Sequence, residues 1–406
     1  KPDLTHQGGL DANRAHVLIA LVAFSSQYIV TLDGTDYSYT TAASGVNADT
    51  IASNLASTIT AAGYTATAVG PGLYITRSTP FTIATSGSAS SEGIFAITDV
   101  VENTTRLPAQ TKDGYIIRVV NSEDIDIDDM YLEFITDNNA GFGNGHWEES
   151  TAPDITYKFD ELTMPHQLVN DAPGEFTFAP VDWNDRLVGD DLTNKKPSFV
   201  GHTISHVFFY RNRMGFLSGQ NVVLSKAGDI FNFWNTSAQA ATNDDPIDIS
   251  AAGKRPAFLN YVEPTAVGLV MYSTNEQFLL TTDSDILAPT SAKVNILSGY
   301  ECDDKIESVS LGTTQAFVSK TPLYARLFEL NDISADAPPI MNDVSAPVPE
   351  LIPASVNSIV SSPALAVVSL GEIGKSTLYH YRFLAKSRDE NCLLYTSDAA
   401  DEAKCV

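Results

Sequence analysis

Only one stretch of this chain, residues 48–62, carries a helical apolar period, and that restricts the fold to a mainly β architecture. Ile51, Leu55 and Ile59 recur every four residues and lay one apolar stripe along the predicted helix. Asn47 or Asp49 is placed to cap its start, and Gly63 to end it in a left-handed conformation. Elsewhere the apolar runs are short and broken by turn formers. The 25 Gly and 20 Pro, with abundant Ser, Thr, Asn and Asp, favour short strands over long helices. With 43% hydrophobic and 18% charged residues, the 406-residue chain reads as globular, with length for two or three domains.

Residues 1–120 read as a small α/β module. Val17–Phe24 is apolar but too short to cross a bilayer, and is expected as a buried strand. Tyr28, Val30 and Leu32 alternate with Ile29 and Thr31, and Asp33-Gly34 turns the chain into a hairpin with 37–41. Strands are expected at 73–76, 81–84, 95–97 and 115–120, continuing one sheet. Residues 121–200 read as a strand pair and an extended, turn-rich connector, with apolar patches at 130–135 and 176–178.

From residue 201 to 331 short strands cluster: 207–209, 215–217 and 222–224; 267–272 and 277–280; 309–311, 316–318 and 323–330. A further group, 365–370 and 378–383, falls within 354–392. A recurrence of roughly 45–60 residues predicts a propeller-like β body, incomplete in this chain. The five-proline stretch 332–353 is expected to be a linker or insertion. Residues 393–406 read as a non-native tail, because CLLYTSDAADE resembles translated sequencing adapter; the chain is expected to be truncated at both ends.

The formal net charge of −26 argues against binding to a phosphate backbone, which needs clustered Lys and Arg. It fits simple solubility, or a surface that DNA passes without sticking. Cys302, Cys392 and Cys405 make no paired framework and no C-x-x-C zinc motif.

Four groups of residues invite chemistry. Asp124, Asp126, Asp128 and Asp129 beside Glu123 open like a calcium loop, but its required Gly and Glu are replaced by Asp129 and Ile135. Glu148, Glu149, Asp182 and Asp185 lie near Trp147 and Trp183, the ingredients of a glycosidase cleft. His202 and His206 are four apart, but in a strand that spacing separates them by ~13 Å. Arg211-Asn212-Arg213 beside Phe208, Phe209 and Tyr210 could bind single-stranded nucleic acid; the alternative is a hairpin with its aromatics inward and its arginines paired with Asp. No catalytic, cofactor-binding or metal-ligating residue is assigned, and no cofactor is expected.

A run of segments carries a family resemblance: TMPHQLV at Thr163–Val169, WNDRLVGDD at Trp183–Asp191, KKPSFVGHTISHVFFYRNRMGFLSG at Lys195–Gly219, NVVLSKAGDIFNFW at Asn221–Trp234 and DPIDIS at Asp245–Ser250. Together with DDMYLEF at Asp128–Phe134 and HWEES at His146–Ser150, they resemble tail tubular protein B, the nozzle subunit of short-tailed podophages. The resemblance implies a non-enzymatic virion protein, assembled in the host cytoplasm. It also implies a homo-oligomer, a hexameric ring around the DNA exit channel, partnered by the tail adaptor ring and the tail fibre, with viral DNA in transient passage and no membrane span. Two rival functions are a virion-associated glycan hydrolase using the Trp-flanked acids and a host receptor-binding module using loops such as 137–144.

Overall fold

The helix forms where the period places it, Ala48–Ala61, and buries Ile51, Ala52, Leu55, Ala56 and Ile59. Asn47 caps it, its side chain accepting the Thr50 N–H at 2.8 Å, and Gly63 follows with φ +95°. The computed structural model describes residues 4–6, 13–90, 92–120, 129–137, 140–334, 339–383 and 393–398, the first and last of these by backbone pairing. The helix packs on two sheets. One runs Thr65–Val69, Gly72–Thr76, Arg14–Ile19, Ile94–Ile97; the other runs Thr35–Thr40, Gln27–Leu32, Ile83–Gly87. Asp33 and Gly34 both take positive φ, +49° and +79°, as a two-residue hairpin turn matching strand twist requires.

Three expectations for this region are corrected. The strand within 17–24 ends at Ile19, and Leu21 and Phe24 are exposed. The Tyr28 hydroxyl donates to the Leu21 carbonyl at 2.6 Å and accepts the Ala23 N–H at 2.8 Å, which ties the chain into a turn and off the sheet. The strand expected at 81–84 is Ile83–Gly87. Tyr115–Val119 does not continue the first sheet. It belongs to a five-stranded one ordered Gln110–Lys112, Phe142–Ser150, Met130–Thr136, Tyr115–Val119, Val100–Val101. That sheet packs on the first through Tyr74, Ile97, Ile117, Leu132 and Phe134.

Beyond the connector come four consecutive four-stranded antiparallel meanders. The first is Ile204–Tyr210, Arg213–Ser218, Asn221–Leu224, Ile247–Ser250; the second is Leu259–Pro264, Leu269–Ser273, Gln277–Thr282, Ala292–Ser298. The third is Val309–Ser310, Gln315–Lys320, Ala325–Asn331, Ile340–Asp343, and the fourth is Ser358–Ser362, Val367–Gly371, Thr377–Arg382, Leu393–Asp398. They begin about 50 residues apart, the spacing of propeller blades. Because side chains alternate, each of the middle sheets feeds two cores. Val223 and Phe216 face the connector while Val222, Leu224 and Leu217 face the second meander. Leu269 and Met271 face back to the first, and Val270 and Tyr272 meet Phe317 and Phe328 of the third. Ala316, Val318 and Leu327 then meet Val368, Leu370 and Tyr381 of the fourth. Sheets buried on both faces and stacked in chain order give the propeller-like arrangement.

One sequence expectation changes here. The Pro-rich stretch 332–353 is not wholly a linker or insertion, because Ile340–Asp343 is the outer strand of the third meander, paired with Phe328–Asn331. The segment Leu393–Asp398, within the tail expected to be non-native, pairs antiparallel with Thr377–Arg382 at an open strand edge.

Candidate functional site

Each group singled out for chemistry is built into the fold differently. Asp129, the described member of the acidic run, is buried and accepts from Arg118 Nε at 2.7 Å; Glu123, Asp124, Asp126 and Asp128 lie outside the described residues. The pair links neighbouring strands and is structural. Among the described residues no group of three or more His, Cys, Asp and Glu is placed to hold a metal ion.

The two tryptophans lie in separate cores. Trp147 packs against Tyr115 and Phe134 and donates to the Pro108 carbonyl at 2.9 Å. Trp183, 2% exposed, packs among Phe216, Phe231 and Phe233. A sugar platform presents its face to solvent, and the Trp183 ring does not. The acids are dispersed too. Glu149 accepts from Ser237 Oγ and the Ala238 N–H, both at 3.0 Å, whereas Glu148 sits in solvent beside His146 at 2.9 Å. Asp182 is exposed 3.8 Å from Lys158, and burial raises the Asp185 carboxyl above its ordinary range.

His202 and His206 do not converge. His202 is exposed, and His206 stacks on Phe208 with Nδ1 3.9 Å from Glu307. Nearby, Glu263 is pushed up to about 7 by burial and by the Glu307 charge. Cys302 is buried, with Sγ 2.6 Å from the Tyr261 hydroxyl, and burial pushes its thiol up to about 12, which leaves it unreactive at neutral pH. Of the loop 137–144, residues 138 and 139 lie outside the described set, and Phe142 packs on Tyr74.

The Arg-Asn-Arg turn corrects one expectation. Arg211 and Asn212 adopt φ of +47° and +61° and close the first hairpin, with Arg211 over the Tyr210 ring at 5.6 Å. Arg213 does not pair with carboxylates. It is 1% exposed, and its guanidinium donates to five carbonyls: Ser225 (2.7 Å), Asp244 (3.1 Å), Asp245 (2.7 Å), Asn243 (3.0 Å) and Leu287 (3.2 Å). Burial lowers its pKa, and the charges of Asp244 and Asp245 oppose that shift. Arg186 makes a second buried knot, with Nη1 on Asp191 at 3.0 Å and its carbon over Trp234 at 5.3 Å. Phe208 and Tyr210 pack inward as expected, whereas Phe209 is 62% exposed.

A buried imidazole joins the four-stranded sheet under the helix to the five-stranded sheet. His16 Nδ1 lies 3.0 Å from Thr111 Oγ1, while Nε2 has no partner and sits so close to Gly72 that a Cβ there would collide with it. Burial lowers His16 to about 4, so the folded state holds it neutral. An unfolded chain protonates it near 6.5. Its contribution is therefore complete above pH 6.5 and is lost as pH falls toward 4, by on the order of 3 kcal/mol. Urea titrations at several pH values should show that extra slope, and His16→Gln should remove it; equal slopes in both proteins would contradict the assignment.

Two surface features were not singled out by residue type. Among the described residues the hairpin Gln167–Ala172 with Glu175–Ala179 pairs with no other strand, and Leu168, Phe176 and Phe178 are 65%, 59% and 69% exposed. Its roots are fixed, since Met164 and Val181 lie in the aromatic core around Trp183 and Phe233. A groove of about 510 Å³ opens beside the outer strand of the first meander, lined by Val223, Phe233, Ile247 and Pro289 with Lys195 and Lys196.

The chain matches the family model described as bacteriophage nozzle protein over residues 2–393. It is also 31% identical, over 296 residues, to the tail tubular protein gp12 of Escherichia phage T7, an alignment covering 71% of this chain. The chain spans 36% of that relative's length.

Proposed function

The chain belongs to the bacteriophage nozzle protein family and is a structural component of the virion tail; from that premise we propose that it works as a passive wall subunit. Copies form a six-membered ring, the ring surrounds the DNA exit channel, and its ends meet the tail adaptor and the tail fibres. The observation that carries this reading is the run of four meanders, whose inner sheets are covered on both faces. Such a chain commits its apolar side chains to stacking sheets, which gives a stiff body rather than a cleft that opens and closes. The groups able to act in catalysis are spread over separate cores and surfaces, which supports a subunit without enzymatic duty. Among the described residues no helix is long and apolar enough to cross a membrane.

The formal charge of −26 suits the task. Carboxylates on a channel wall repel DNA phosphates, so the polyanion is neither held by ion pairs nor slowed by counterion exchange. A channel lined mainly by Lys and Arg would contradict this. Sedimentation velocity should show a species of six subunits, and incubation with host polysaccharide should release no reducing sugar. Sugar release abolished by Glu148→Gln or Asp182→Asn would replace the proposal with a glycan hydrolase.

A further inference from the structure

The first strands of successive meanders are tied to one another by side chains. Ser205 Oγ donates to the Leu259 carbonyl at 2.8 Å, which joins the first strand of the first meander to that of the second. Ser361 Oγ donates to the Ser310 carbonyl at 2.7 Å and joins the fourth to the third in the same way. The link that leads into the third meander reaches past the second: Glu307 Oε1 lies 3.9 Å from His206 Nδ1 on the first strand of the first meander. Glu263, on the first strand of the second meander, feels the Glu307 charge. Three ionisable side chains from three consecutive parts of the chain therefore share one seam.

Glu263 is half-buried, and among the described residues its carboxyl receives no hydrogen bond and meets no cation. Its surroundings offer it little. From the third meander, Gln315 Nε2 donates to the Glu263 backbone carbonyl at 3.3 Å, and Gln315 Oε1 is taken by the Tyr272 hydroxyl at 2.6 Å. Tyr272, on the neighbouring strand, is a phenol that burial keeps protonated. A carboxyl with no donor and a like charge nearby favours its neutral form, and burial together with Glu307 pushes Glu263 up to about 7. His206 acts in the same sense. It stacks on Phe208 at 6.2 Å, and it forms an ion pair with Glu307 only while protonated.

We propose that His206, Glu263 and Glu307 form a proton-operated latch on the seam between the first three meanders, closed in acid and loosened in alkali. With His206 protonated and Glu263 neutral, one cation faces one carboxylate. With both protons gone, two carboxylates share the seam and no cation stands between them. The sign follows from linkage. A carboxyl raised from 4.5 to about 7 binds its proton more tightly in the closed seam than in the open one. Its contribution is therefore full below pH 4.5 and is lost as pH rises to about 7. The latch lies within one copy, so it holds whatever number of copies assembles.

The test is segment-resolved hydrogen exchange of the full chain between about pH 5 and about pH 8.5, corrected for the intrinsic amide rate. Segments 204–210 and 259–264 are expected to open about tenfold more readily per pH unit from about 5 to about 7, and to level off above that. Glu263→Gln fixes the neutral form at nearly the same shape, so it should flatten this profile and keep both segments protected at high pH. Glu307→Gln, at an exposed position, removes the like charge and should move the levelling point to lower pH. The N-terminal sheets carry the opposite sign through His16, loosening as pH falls, which separates the latch from a global change. Flat exchange in the parent overturns the latch. So does a slope that survives Glu263→Gln, or a levelling point that Glu307→Gln leaves in place.

Discussion

Arg213→Ala is expected to destabilise the protein by about 3–5 kcal/mol, the range for stripping one partner from a buried charged network. Five carbonyls converge on this one guanidinium, and those of Ser225, Asp245 and Leu287 accept it in buried bonds that would be left unmade once it is gone. Three belong to residues 243–245, which lead into the outer strand of the first meander, and one belongs to Leu287 in the second. The substitution therefore loosens both a strand and the seam between two sheets. Arg213→Lys should fall between, because an ammonium has three donors and cannot spread them over the same fork. Urea midpoints for the three proteins measure the order directly. An alanine variant within ~0.5 kcal/mol of the parent, the scatter of ordinary surface changes, would show that the knot adds nothing.

Phe216→Ala is expected to cost a similar amount, ~3–5 kcal/mol, as the loss of a fully buried ring without collapse of its site. Phe216 stacks on Phe233 at 4.9 Å and meets Phe199 and Trp183 edge-on at 5.2 and 6.0 Å. Phe233 and Val223 also line the groove, while Met164 and Val181 of the same core hold the hairpin. The cavity should thus do more than lower stability. It should raise hydrogen exchange in the hairpin well before the third and fourth meanders respond, since those rest on other cores. Thermal unfolding combined with segment-resolved exchange reads both effects, and uniform loosening of all four meanders would contradict the division into separate cores.

The sequence is unevenly transparent to these features. The helix is legible because Ile51, Leu55 and Ile59 share a face and Asn47 is a strong cap. The inner strands of the meanders are legible as apolar runs, such as Leu269–Ser273, which is buried throughout. Outer strands are not. Ile247–Ser250 and Ala292–Ser298 each hold one buried residue among exposed and partly buried ones, so their polar positions hide them among loops. The Pro-rich stretch misleads for a related reason, as the prolines flank Ile340–Asp343 without interrupting it. Arg213 and Arg211 look alike in the string Arg-Asn-Arg. The distinguishing signal is parity: with the turn at Arg211-Asn212, Arg213 falls on the face of Leu217, which meets the second meander. For the hairpin, Leu168, Phe176 and Phe178 read as ordinary apolar residues, because a side chain covered by its own core and one left open to solvent have the same pattern.

Stacked β meanders that make a stiff wall around a channel imply a ring of copies. Class averages of the protein from negative-stain electron microscopy test it most directly. The expected image is a ring with sixfold symmetry and a central hole, built from copies in one orientation. A stable monomer with a deep cleft, at concentrations where the ring should form, would contradict it.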